Sequence, residues 1–149
     1  MKIFLKEFLC LTIVFLLLDI IWKGLIMNSK YLILIKEIQG QSLEFKPLAT
    51  LLAYLFLIFG MYYFIIMRMK RYFDILNILS LSIPFGLTVY GVFEFTTACM
   101  LKKWDYFTAF NDILWGCFIC SISSIIIGLY RKYIKEDNEI LFSQNLFLS

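Results

Sequence analysis

The chain contains no histidine and only two prolines. The missing imidazole removes the commonest side-chain general base and the commonest metal ligand. Charge is also scarce. Asp, Glu, Lys and Arg make up 17% of the residues, against about 25% in an average soluble domain. Hydrophobic residues reach 62%, where soluble domains hold roughly 45–50%. The excess falls in blocks, which argues for membrane spans over a large soluble core. At 149 residues there is room for one bundle and no second domain. The net charge of +3 is modest and its basic residues sit in short loops. They read as topology signals, so no nucleic-acid partner is expected. Phosphate loops, serine-hydrolase elbows and dinucleotide fingerprints are all missing.

What is present is a set of four apolar runs. The first covers about Phe4 to Met27. Its basic flank, Lys2 and Lys6, is like that of a secretory signal. The apolar stretch nevertheless continues past Leu18 into Asp19, Trp22 and Lys23 without a small-x-small site, so the segment is expected to be kept as a span. The second runs from about Pro47 to Met67, with Pro47 suited to a first helical turn. The third runs from about Ile75 to Ala98, and Pro84 inside it is expected to kink or loosen one turn. The fourth runs from about Asn111 to Tyr130. Each is near the ~20 residues that cross hydrocarbon. Between the first two, Tyr31, Leu34, Ile35 and Ile38 recur at helical spacing beside Lys30, Lys36 and Glu37. That pattern predicts a short interfacial amphipathic helix, broken at Gln39-Gly40-Gln41-Ser42. The expected fold is therefore all-α: a four-helix transmembrane bundle over residues 1–135, followed by a cytoplasmic tail over 136–149. In that tail, Lys135, Glu136, Asp137 and Glu139 precede an apolar end.

Orientation follows from the lysines and arginines. Lys2, Lys6, Arg68, Lys70, Arg71, Arg131, Lys132 and Lys135 fall on one side, and Lys30, Lys36, Lys46, Lys102 and Lys103 on the other. The excess places both termini in the cytoplasm of an integral, multi-pass protein whose first partner is the lipid bilayer.

Against this background three acids stand out. Asp19, Glu94 and Asp112 lie in or at the edge of apolar runs. A charge at bilayer depth is costly and normally faces a bundle interior. Counting ~1.5 Å per residue along each span puts all three in the exterior half of the bilayer, on three different helices. Trp22 follows Asp19 by three residues, and Trp115 follows Asp112 by three, so each pair shares a helix face. Gly24 and Gly116 would let a neighbouring helix approach. Tyr90, Glu94 and Thr97 share a face on the third span. The candidate pocket is thus Asp19, Trp22, Lys23, Tyr90, Glu94, Thr97, Asp112 and Trp115. Simpler readings compete with it. Acids near helix ends reach head groups unaided, and Asp19 has a partner one turn on in Lys23. Trp104 reads as an interfacial belt residue.

The cysteines carry little chemistry. Cys117-x-x-Cys120 has redox spacing but sits in mid-span, where small packing residues are the better reading. Ser121, Ser123 and Ser124 are expected to bond to carbonyls of their own helix. Three carboxylates without histidine do not define a metal geometry, and neither metal nor cofactor is expected.

Several residues together resemble one family. They are Leu18-Asp19 with Trp22, Gly86-Leu87 with Tyr90-Gly91, Glu94 with Thr96-Thr97, Trp104, and Asp112 with Trp115-Gly116. Tyr54, Gly60 and Phe64 fit the same pattern. From about Phe4 to Ile127 the chain resembles the small membrane proteins known as domain of unknown function 2177. The family typically has Asp in place of Glu94, Asn in place of Thr97, and an apolar residue in place of Lys23. The resemblance implies four spans and a shared polar motif, and it implies no activity.

Three functions fit these residues. The favoured one is non-enzymatic: a binding or transport site for a small solute or a proton, with Asp19 and Glu94 as exchanging groups. With only four short spans, transport would call for a homodimer or larger assembly, and Gly60, Gly86 and Gly91 offer surfaces for close packing. The second is a lipid-related membrane enzyme or its accessory, using paired acids for proton transfer. The third is a structural or assembly subunit whose polar groups bond only to one another.

Overall fold

The computed structural model describes residues 2–26, 28–42, 44–70 and 72–147; of 2–3, 25–26, 28–31 and 135–147 it describes the backbone alone. The expected roles of Met27, Arg71, the Tyr31 and Lys30 side chains and the charged tail side chains lie outside the described residues.

All regular structure among the described residues is helical. Helix α1 (Lys2–Ile21) runs into one π-helical stretch, Trp22–Ile26. Helix α2 (Asn28–Gln39) follows, then α3 (Pro47–Met61) with its own π-helical extension, Tyr62–Ile66. Helix α4 is Ile75–Met100 and α5 is Tyr106–Phe147. Local chemistry sets these boundaries. Pro47 opens α3, where its missing N–H costs nothing. Gly40 closes α2 at φ +71°, and its N–H bonds the Lys36 carbonyl at 2.9 Å. Asp105 accepts from the N–H groups of Phe107 and Thr108 at 3.0 and 3.1 Å and so caps α5. Helix α4 continues unbroken through Pro84. The backbone of α5 stays helical into the stretch expected to form a tail.

Among the described residues, three helices are long and apolar enough to cross a membrane: Pro47–Ile66, Ile75–Met100 and Tyr106–Ile134. Their outer faces expose Phe56, Leu76, Leu87, Phe93 and Leu114, each more than half accessible. So much exposed apolar surface suits lipid, and water would not tolerate it. Inside, Leu11 and Phe15 of α1 meet Met61 of α3, Ile65 beyond it, and Ile119 and Ile127 of α5.

Helices α4 and α5 form the tightest pair. A methyl group on Gly86 would lie 2.7 Å from the Gly116 carbonyl oxygen and 2.8 Å from the Cys117 Cα. Beside this contact Ser82 Oγ donates to Ser121 Oγ at 3.0 Å. Gly60 of α3 receives the Phe85 ring in the same way, with 3.1 Å to a would-be Cβ. Gly91 has nothing within 4 Å of that position. Two of the three glycines expected to offer packing surfaces are thus used within the chain. Ser121 and Ser124 do bond to carbonyls one turn back, at 2.7 Å each. Ser123 is fully buried and makes no such bond.

A second buried polar group ties the bundle at the end opposite Asp19. Arg131 donates from Nε to Glu7 Oε1 at 2.6 Å and from Nη2 to Glu7 Oε2 at 2.8 Å. Its Nη1 reaches the Ile66 carbonyl at 2.9 Å, and Tyr62 Oη donates to Glu7 Oε2 at 3.1 Å. Phe4 and Phe8 pack edge-on to the Tyr62 ring, with centroids 4.7 and 5.7 Å away. Neither Glu7 nor its partnership with Arg131 is visible in the spacing of residues, because 124 positions separate the two.

The loop before α4 supports a pH prediction. Lys70 Nζ lies 2.7 Å from Asp74 Oδ2, and Asp74 Oδ1 accepts from the Asn77 N–H at 3.1 Å. The Lys70 hydrogen bond holds the Asp74 carboxyl below its ordinary range, and the same bond raises Lys70. A depressed carboxyl stabilises the fold above its unfolded pKa and loses that contribution as pH falls through the folded value. Asp74→Asn keeps the cap and removes the charge. It should be slightly less stable than the parent at neutral pH. The gap in melting temperature should close as pH drops below about 4, the unperturbed Asp value.

Candidate functional site

The π-helical stretch after α1 begins at Trp22 and carries Lys23, so the chain widens where it meets the polar groups. Asp19, one turn earlier, is completely buried. Its Oδ2 accepts a hydrogen bond from Tyr54 Oη of α3. The same oxygen pairs with Lys23 Nζ at 2.9 Å. Lys23 also lies 3.5 Å from Tyr54 Oη and 5.5 Å from the centre of its ring. Asp19 Oδ1 is buried without a hydrogen-bond partner.

Glu94 of α4 is equally buried. Trp104, in the α4–α5 loop, donates from Nε1 to Glu94 Oε2 at 2.8 Å. Its other oxygen, Oε1, accepts no N–H or O–H. Asp112 of α5 is 5% exposed and its carboxyl adjoins that of Glu94. Trp22 Nε1 approaches Asp112 Oδ1 at 3.4 Å. Trp22 and Trp115 stack at 4.5 Å with their planes 5° apart. This stack joins the end of α1 to α5, and the two Asp-x-x-Trp segments are the ones that meet. The Tyr90 ring lies over Gly116, where a Cβ would come within 2.2 Å of it. Its phenol is within electrostatic reach of both Asp19 and Asp112.

The acids therefore gather in two adjoining groups at one end of the bundle. One is Asp19 with Tyr54 and Lys23, and the other is Glu94 with Asp112 and Trp104. Thr97 contributes no hydroxyl to either. Its Oγ1 donates to the Phe93 carbonyl of its own helix at 2.7 Å. Trp104, expected to be a belt residue, is instead a donor to a buried carboxylate. Tyr54 was legible only as part of the family pattern. A signal existed for both: buried carboxylates need donors, and Tyr and Trp are the uncharged donors an apolar span tolerates best.

Beside these groups is a cleft of about 460 Å³, within the roughly 300–1,000 Å³ common for ligand pockets. Lys23, Thr50, Tyr54, Tyr90 and Asp112 supply its polar lining. Ala53 and Leu57 of α3 and Val89 and Phe93 of α4 form apolar walls, with Phe45 beside them. Lys103 Nζ donates to the Glu37 carbonyl at 3.0 Å, which ties α2 to this end of the bundle. Among the described residues no three acidic or thiol side chains are gathered closely enough to hold a metal. The four cysteines are free thiols; Cys117 Sγ donates to the Ile83 carbonyl at 3.7 Å.

Comparison with curated proteins and comparison with solved structures give no match. The family described as "Predicted membrane protein (DUF2177)" matches residues 4–129, a stretch that contains all eight candidate site residues. The chain is an integral membrane protein and belongs to that family.

Proposed function

We propose that this protein is a four-span, multi-pass bundle with both termini in the cytoplasm, binding a small polar or cationic solute from the exterior side. The reading makes α1 and its π-helical extension the fourth span. Its 25 residues reach about 37 Å at 1.5 Å each, enough for a ~30 Å hydrocarbon core. Buried charges in α1 are compensated inside the bundle, Glu7 by Arg131 and Asp19 by Lys23. Helix α2 lies on the exterior surface in this account, with Leu34, Ile35 and Ile38 half-buried and Lys36 and Glu37 exposed.

One observation carries the proposal: four separate elements converge on a single cleft through Lys23, Tyr54, Tyr90 and Asp112. Adjoining carboxyls can share one proton, so the Glu94–Asp112 pair suits exchange of a proton or a protonated amine. A homodimer joined through the open Gly91 face completes the transport reading. The role is non-enzymatic. The alternative of a purely structural subunit draws support from Asp19, whose Oδ2 is already held by both Tyr54 and Lys23.

The test is methylammonium uptake and proton flux in proteoliposomes under an imposed pH gradient. Glu94→Gln and Asp112→Asn should each bring both signals to the level of empty vesicles. Unchanged flux and uptake in both variants would remove the exchange role.

A further inference from the structure

The cleft has a chemical asymmetry that goes further than a small solute. Its lining carries one cation, Lys23, and one carboxylate, Asp112, among apolar walls. The Lys23 side chain is half exposed. The walls are not interior surfaces. Ala53, Val89 and Phe93 are all exposed on α3 and α4, two of the helices able to cross a membrane. The two helices meet through Gly60 and Phe85, and the cleft lies between them on the Pro47 side of that contact. An occupant can therefore enter sideways from the bilayer and need not come from water. Its polar end would meet a positive and a negative group together. Its remainder would lie along hydrocarbon-facing side chains.

We propose that the cleft holds a membrane phospholipid with a primary ammonium head group, phosphate at Lys23, ammonium at Asp112, and the first acyl carbons along Leu57, Val89 and Phe93. The proposal rests on the solute-binding reading and names its ligand class. Lys23 already pairs with Asp19 at 2.9 Å, and its half-exposed ammonium has further N–H donors to offer the phosphate. Asp112 answers the lipid ammonium, which avoids desolvating an unpaired ion. A primary ammonium offers three N–H donors to a carboxylate, whereas a quaternary ammonium offers none. An ethanolamine head group should thus be preferred over a choline one. A glycerol head group lacks the cation and should also bind less well.

Native mass spectrometry of the full chain in detergent tests this, with dilauroyl phosphatidylethanolamine, phosphatidylcholine and phosphatidylglycerol competing at equal concentration. Retention of the ethanolamine lipid should exceed that of either competitor by roughly tenfold, about one charge-assisted hydrogen bond. Asp112→Asn should erase the preference over choline. Ala53→Leu fills the cleft from its lipid-facing side without touching a polar group, and should reduce retention of the ethanolamine lipid while the protein stays folded. Equal retention of the three lipids by the parent would overturn the proposal. So would a preference that survives both substitutions. Soluble phosphoethanolamine separates the two readings. If it binds in an Asp112-dependent way and the lipid does not, lipid recognition is wrong and solute binding stands. If neither binds, lipid recognition is wrong, and the methylammonium and proton fluxes of the parent decide solute binding on their own.

Discussion

Arg131→Ala should lower the melting temperature of the detergent-solubilised protein by on the order of 10 °C. The substitution removes two donors from Glu7 and one from the Ile66 carbonyl. Glu7 is 5% exposed, so water cannot replace them freely. Leaving a buried charge without its partner costs about 3–5 kcal/mol, and each kcal/mol shifts the midpoint of a chain this size by roughly 2–4 °C. The paired substitution discriminates this mechanism from mere loss of packing. Glu7→Leu combined with Arg131→Leu removes both charges together and should recover most of the loss, because the ion pair itself contributes little net stability. If the double variant is as unstable as Arg131→Ala, the charge account of this clamp is wrong. The Tyr62 hydroxyl makes only a third, 3.1 Å contact to Glu7, so Tyr62→Phe should be much milder.

Two glycines on one helix should respond with opposite signs. Gly86→Ala puts a methyl group 2.7–2.9 Å from backbone atoms of Gly116 and Cys117. Backbone cannot yield as a side-chain tip can, so α4 and α5 must separate. Overpacking of this kind costs typically 1–3 kcal/mol. The separation also stretches the 3.0 Å Ser82–Ser121 bond and the Glu94–Asp112 approach further along the same pair of helices. Gly91→Ala meets nothing within 4 Å. In the detergent-solubilised monomer it should be neutral or stabilising by up to about 1 kcal/mol, the helical preference for alanine. Melting curves of the two variants measure this directly. A Gly86→Ala protein as stable as the parent would mean that α4 and α5 do not touch there.

These residues also show how far a single sequence can be read. The apolar runs place α3 and α4 closely and find the apolar part of α5, since length and hydropathy are local properties, but they miss its helical continuation to Phe147. The cap at Asp105 extends α5 five residues ahead of the expected start at Asn111. Rotation about each axis was harder to read. Helices that are apolar nearly all round have no polar stripe to mark the buried face. Only isolated polar residues reveal it, which is why the shared faces of Asp19 with Trp22 and Asp112 with Trp115 were legible. Partners across helices were not. Tyr54 to Asp19, Trp104 to Glu94 and Arg131 to Glu7 depend on how helices are rotated and paired, information that spacing along one chain does not contain. Thr97 shows the opposite error. Its position on the Glu94 face was readable, but its hydroxyl turned to the nearest carbonyl of its own helix.

The most direct measurement is a high-resolution density map of the protein in lipid nanodiscs, resolving the ends of α1, α4 and α5. The account predicts Trp104 Nε1 within hydrogen-bonding distance of Glu94, Asp112 against Glu94, and Asp19 held by Tyr54 and Lys23 at the same membrane depth. Carboxylates found at opposite leaflets, or each turned outward to head groups with no contact between them, would contradict it.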